Sequence, residues 1–115
     1  MLAEAHRKAA EDMEKSIVKL QPDVDPDVAR LAIEGAWGAA FHWIAFGCQT
    51  KHGRHQESHA RLVSFLNNLG EGSTAAWWQS IDSLRQGGMY GNKTDSLAVQ
   101  EALTLLREIH RWASS

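Results

Sequence analysis

Apolar residues recur through the first twenty positions at three- and four-residue steps, at Leu2, Ala5, Ala9, Met13, Ile17 and Leu20, with Glu, Lys, Arg and Asp between them. That period predicts an amphipathic helix of about five turns, ending before Gln21-Pro22 because a residue ahead of proline is pushed out of the α region. After the short Pro22-Asp23-Val24-Asp25 connection, Asp25 offers an N-cap, Pro26 suits the first helical position and Asp27 complements the helix dipole. A second helix is therefore predicted from Pro26 towards Cys48 or a little beyond. Its apolar content widens after Gly35, as in a central helix touched on more than one side. Gly35 and Gly38 each cost up to about 1 kcal/mol relative to alanine in a helix interior. The compensation expected is close approach by a neighbouring helix, with Trp37, Phe41 and Trp43 filling the flanks.

Residues Gln49 to Ser58 are polar and rich in histidine. Beyond them Leu62, Val63, Phe65, Leu66 and Leu69 predict a third helix, with Ser58 as a candidate cap and Gly70 as a left-handed C-cap. A fourth helix starts at Ser73 or Thr74 and carries Trp77, Trp78, Ile81 and Leu84. Gly87-Gly88-Met89-Tyr90-Gly91-Asn92 reads as a loop. Asp95 or Ser96 then caps a fifth helix with Ala98, Ala102, Leu105, Leu106, Ile109 and Trp112 on one stripe. No segment alternates with period two long enough for a strand. The expected fold is all-α, an up-and-down helical bundle of four to five helices forming one domain over residues 1–115.

Composition narrows the class without naming a function. Twelve Lys and Arg against fourteen Asp and Glu leave a formal charge of −2, so contact with nucleic acid would need a local basic patch. The longest apolar stretch, Gly35 to Cys48, is too short to span a bilayer, and the polar N-terminus lacks a signal-peptide core. One cysteine, Cys48, cannot form an intrachain disulfide and fits a reducing compartment, so a cytoplasmic location without membrane association is expected.

Three groups of residues invite a chemical reading. Cys48, His52, His55 and His59 fall at steps of four, three and four, and Cys and His are zinc's preferred ligands. Gly53 interrupts that segment, so no metal ligand and no cofactor is assigned. Arg54 and His59 form an Arg-x4-His pair able to hold a phosphodiester and exchange a proton near neutral pH. Lys51, Arg54 and Arg61 make their surroundings the most basic local stretch of the chain. The same spacing also suits a solvated loop leading into a helix. Five tryptophans point to core packing or a subunit interface; adjacent Trp77 and Trp78 point about 100° apart on a helix. His42, inside the apolar helix, reads as a hydrogen-bonded core histidine.

The order of these features resembles HEPN-type domains. Gly35-Ala36-Trp37-Gly38-Ala39-Ala40-Phe41-His42 is similar to the small-aromatic-aromatic-Ala-x-Phe-His run of their central helix. Ser58-His59 matches a Ser-His pair that opens the next helix. Leu84-Arg85-Gln86-Gly87-Gly88-Met89-Tyr90-Gly91 matches a later segment with an aromatic-Gly pair, and Ala98 to Trp112 a closing Ala-rich helix. The resemblance covers roughly residues 5–113. It implies a bundle that dimerises, in a family whose members accompany a small nucleotidyltransferase and include metal-independent ribonucleases with an Arg-x4–6-His motif. Arg54 and His59 fit that spacing as catalytic residues, with Lys51, His55 and Tyr90 as ligand-binding residues. The ribonuclease branches carry the motif on a later helix, and Trp37-Gly38 stands where they have a Tyr-Tyr pair. The preferred expectation is accordingly a dimeric nucleotide- or RNA-binding or accessory module, possible partner of a nucleotidyltransferase. The alternatives are a metal-independent endoribonuclease of toxin type and a purely structural bundle.

Overall fold

A computed structural model of the chain describes residues 2–20, 26–90 and 96–115, apart from the side chains of Pro26, residues 88–90 and Ser96. The described residues form five helices: α1 (Ala3–Ile17), α2 (Pro26–His52), α3 (Leu62–Asn68), α4 (Gly72–Tyr90) and α5 (Ser96–Ser114), with a 3-10 turn over His59–Arg61 leading into α3. The expected all-α helical bundle forms, and no strand occurs among the described residues. At 1.5 Å per residue, α2 is about 40 Å long and spans most of the 42 Å long dimension of the molecule. It packs against α1, α4 and α5, while α3 lies on α4.

The small residues of α2 explain how it can be central. A Cβ on Gly35 would sit 2.3 Å from Ile17 Cγ2 of α1, and one on Gly47 would sit 2.5 Å from the Trp112 ring of α5. Glycine at these positions lets two helices approach, which offsets its propensity cost. Between them Ile33, Ala36, Ala40, Trp43 and Ile44 are buried, as are Trp78 and Ile81 of α4 and Leu106 and Ile109 of α5.

The buried stripe of α1 is rotated from the expected one. Ala5 is exposed and Leu2 is 82% exposed, whereas His6, Ala10 and Ile17 are buried. The inward-facing stripe at steps of four, three and four runs through His6, Ala10, Met13 and Ile17, with Met13 at its more exposed margin. Met13 lies against Gly38, its sulfur 3.2 Å from where a Cβ would be. A histidine has taken an interior position that apolar patterning alone assigned to its neighbours.

Two glycines close helices by left-handed geometry. Gly53 (φ 75°) ends α2, its N–H reaching Gln49 O at 3.0 Å. Gly70 (φ 80°) follows α3, with Gly70 N–H to Asn67 O and Glu71 N–H to Leu66 O, the paired bonds of a Schellman motif. The loop expected at Gly87–Tyr90 is not there: α4 continues to Tyr90. A glycine weakens a helix by about 1 kcal/mol without ending it, and Trp78 and Ile81 already commit α4 to the core. Ser58 occupies the N-cap position of the 3-10 turn without its hydroxyl capping it. Its N–H is held instead by Gln56 Oε1 at 3.0 Å. Gly91, Asn92, Asp95 and the 22–25 connection lie outside the described residues.

The five tryptophans are absorbed by packing. Trp43 and Trp78 are buried, and Trp37, Trp77 and Trp112 lie partly buried against the core. Three indole N–H groups donate to carboxylates elsewhere in the chain: Trp37 to Asp82 at 3.0 Å, Trp43 to Glu14 at 3.0 Å, and Trp112 to Glu71.

Candidate functional site

Once Gly53 stops α2, residues 54–58 run without regular structure and return two polar side chains to the helices. His55 Nδ1 lies 2.8 Å from Gln49 Oε1 in the last turns of α2, and His55 Nε2 lies 2.7 Å from Glu57 Oε1. The same Glu57 oxygen lies 3.2 Å from Nε2 of His6. His6 is fully buried on the inner stripe of α1, and its other nitrogen, Nδ1, lies 2.8 Å from Nδ1 of His42 on α2. Three histidines, one glutamate and one glutamine from α1, α2 and the 54–58 segment thus form one continuous network.

Aromatic rings wall it. Phe41 stands edge-on to His6 at 6.2 Å between centroids, and edge-on to His59 at 4.3 Å. His59 is also edge-on to Trp37 at 4.5 Å, over which the Arg85 guanidinium lies at 4.1 Å. The wall lowers the local dielectric on the inner side. Burial pushes His6 and His42 below the ordinary histidine range, favouring their neutral forms. Glu57 is held down to about 2, chiefly by its hydrogen bond with His55 and further by that with His6. A neutral His6 donating Nε2–H to Glu57 can accept from His42 through Nδ1, so each ring nitrogen has a partner.

The residues singled out from the sequence divide between this network and other places. His55 belongs to the network and His59 borders it through Phe41. Arg54 is exposed, its guanidinium 5.6 Å from the Phe65 ring centre, and no hydrogen bond or ion pair joins it to His59 among the described residues. Lys51 turns to α5, where its ammonium reaches the Ser115 carbonyl oxygen at 2.9 Å and lies 5.6 Å from the Trp112 ring. The side chain of Tyr90 lies outside the described residues. Cys48, His52, His55 and His59 do not converge. Cys48 is sealed in the core with its thiol pushed up to about 12 by burial, and His52 faces Glu71 at 3.4 Å.

No family model, curated protein or solved structure matches the chain. The functional reading therefore rests on the side chains themselves.

His6, Gln49 and Glu57 escaped the sequence reading. The one available signal was the step of four, three and four that puts His6 in register with Ala10, Met13 and Ile17. Nothing local marks Glu57, whose partner His6 is 51 residues away.

Proposed function

We propose that this protein is a HEPN-like binding module that takes the phosphate groups of an RNA or nucleotide on the surface around the 54–61 segment. One observation carries the reading. Arg7, Arg85 and Arg111 each pair with a carboxylate. Arg54 and Arg61 are exposed with no carboxylate partner among the described residues, as Arg30 and Arg107 also are, but only Arg54 and Arg61 sit together on one short segment. The segment that bears them is tied down through His55 and Glu57, so two guanidinium groups stand on a fixed backbone. Guanidinium groups in that state are suited to bidentate contact with phosphate. His59, exposed on the same segment, offers ring surface near the charge.

The binding reading is preferred to the ribonuclease one because Arg54 and His59 rest on different aromatic partners, Phe65 and Phe41 with Trp37. Catalysis would need both to close on one phosphate. Homodimerisation, a cytoplasmic setting and a nucleotidyltransferase partner belong to the same proposal. No helix among the described residues is long and apolar enough to cross a membrane.

The test is fluorescence anisotropy of a labelled single-stranded oligoribonucleotide over a range of salt. Binding is expected to weaken with salt, and Arg54→Ala with Arg61→Ala should reduce the logarithmic salt slope by about 1.4 on a single strand. A salt slope unchanged in the double variant would remove the proposed surface. RNA cleavage in EDTA by the wild type, lost in His59→Ala, would instead establish the ribonuclease alternative.

A further inference from the structure

We propose that His6, His55 and Glu57 form a binding site for a divalent transition-metal ion of the zinc class, with two imidazole nitrogens and one carboxylate oxygen as ligands. The inference is independent of the RNA reading and concerns a different set of atoms.

Geometry is the first support. One ligand atom from each of the three residues lies within 4.8 Å of the others. Around a tetrahedral ion with bonds of about 2.0–2.2 Å, ligand atoms stand about 3.3 Å apart. Glu57 Oε1 is already 3.2 Å from His6 Nε2 and 2.7 Å from His55 Nε2. A rotation at the exposed end of Glu57 opens the shorter distance.

The second support is how the two rings are held. Metal-binding histidines are oriented by a hydrogen bond at the nitrogen that does not bind the ion. Both rings have that bond: His6 Nδ1 to His42 Nδ1 at 2.8 Å, and His55 Nδ1 to Gln49 Oε1 at 2.8 Å. With an ion present, both Nε2 lone pairs turn to it. The ring protons then reside on Nδ1, donated to His42 Nδ1 and Gln49 Oε1, and the remaining His42 proton sits on its Nε2. No side chain needs to be replaced for this exchange.

The third support is the contrast between inside and outside. His6 is fully buried and fixed, while the Glu57 side chain is 54% exposed. An ion can therefore enter from solvent against a rigid inner ligand and keep water in its remaining position. Two imidazoles and a carboxylate suit zinc, and also iron(II), cobalt(II) and nickel(II). The spacing of Cys48, His52, His55 and His59 assigns no metal because Gly53 interrupts that segment, and of those four the structure brings only His55 to this place.

The test is calorimetric titration of tag-free, EDTA-treated and dialysed full-length protein with zinc chloride. One ion per chain is expected. His55→Gln and Glu57→Gln should each weaken binding roughly tenfold or more, whereas His52→Gln and His59→Gln leave it unchanged. Because His6 is buried, its substitution is not needed. Circular dichroism of the His55 and Glu57 variants must match the wild type. Absence of stoichiometric binding, or binding reduced by the His52 and His59 variants and not by His55→Gln and Glu57→Gln, would overturn the proposal.

Discussion

Glu14 and Glu57 each face two nitrogen-bearing rings, and the kind of ring makes the two regions different. Glu14 receives the Trp43 indole at 3.0 Å and lies 3.2 Å from His110 Nδ1, with His110 stacked on Trp43 at 3.9 Å. Glu71 has the same composition, facing the Trp112 indole and His52. An indole N–H can only donate, so these carboxylates serve as fixed struts between helices. Glu57 instead faces two imidazoles, His6 and His55, whose nitrogens exchange proton for lone pair. Polar groups that look alike in a contact map therefore differ in what they can bind.

The largest expected effect is on the strut side. Trp43→Ala removes a buried ring and the partner of Glu14, and should cost about 3–5 kcal/mol in urea unfolding. Gly47→Ala comes next, at about 1–3 kcal/mol, because its Cβ would meet the Trp112 ring at 2.5 Å and Ala113 Cα at 3.1 Å. Neither substitution touches the Glu57 network, so a folded Gly47→Ala protein should bind zinc as the wild type does. Loss of zinc affinity in that variant, with its circular dichroism unchanged, would erase the separation between the two regions.

Acidification acts on the Glu57 side. His6 and His42 have pKa values lowered in the native state by burial, so below the ordinary histidine value of about 6.5 the unfolded chain binds protons that the folded one does not. Stability should fall as pH drops from about 7.5 to about 5.5, read as a falling urea midpoint. Glu57, with its native value lowered to about 2, adds a loss in the same direction below its unfolded value of about 4.3. A midpoint that is flat or rises on acidification would contradict neutral burial of the two rings. The smallest stability change is expected for Glu57→Gln, within about 1 kcal/mol for a half-exposed carboxylate hydrogen-bonded to two imidazoles. That variant nevertheless removes a zinc ligand, so it separates binding from folding most cleanly.

Much of the scaffold was legible in the sequence. The small residues at Gly35 and Gly38 announced close packing, and they meet Ile17 and Met13; Gly47, which meets Trp112, lay outside that run. Gly53 and Gly70 marked real helix ends because each needs a positive φ. Gly87 did not, since a glycine inside a helix lowers stability without fixing a turn. The network was legible only in fragments. His6, His42, His55 and Glu57 come from three segments, and spacing rules read only within one segment. Patterning treats histidine as polar, so the fully buried His6 has no place in the apolar stripe it predicts. Spacing likewise suggested that Cys48 and His59 belong together, although the turn at Gly53 sends them to different surroundings.

The most direct measurement is imidazole ¹⁵N NMR of the uniformly labelled chain, recorded before and after one equivalent of zinc. The expected result is that Nε2 of His6 and His55 shift, that His6 exchanges its Nε2–H for an Nδ1–H while the His42 proton moves to Nε2, and that His110 beside Glu14 stays as it was. Unmoved His6 and His55 resonances, or shifts confined to His52, His59 and His110, would contradict it.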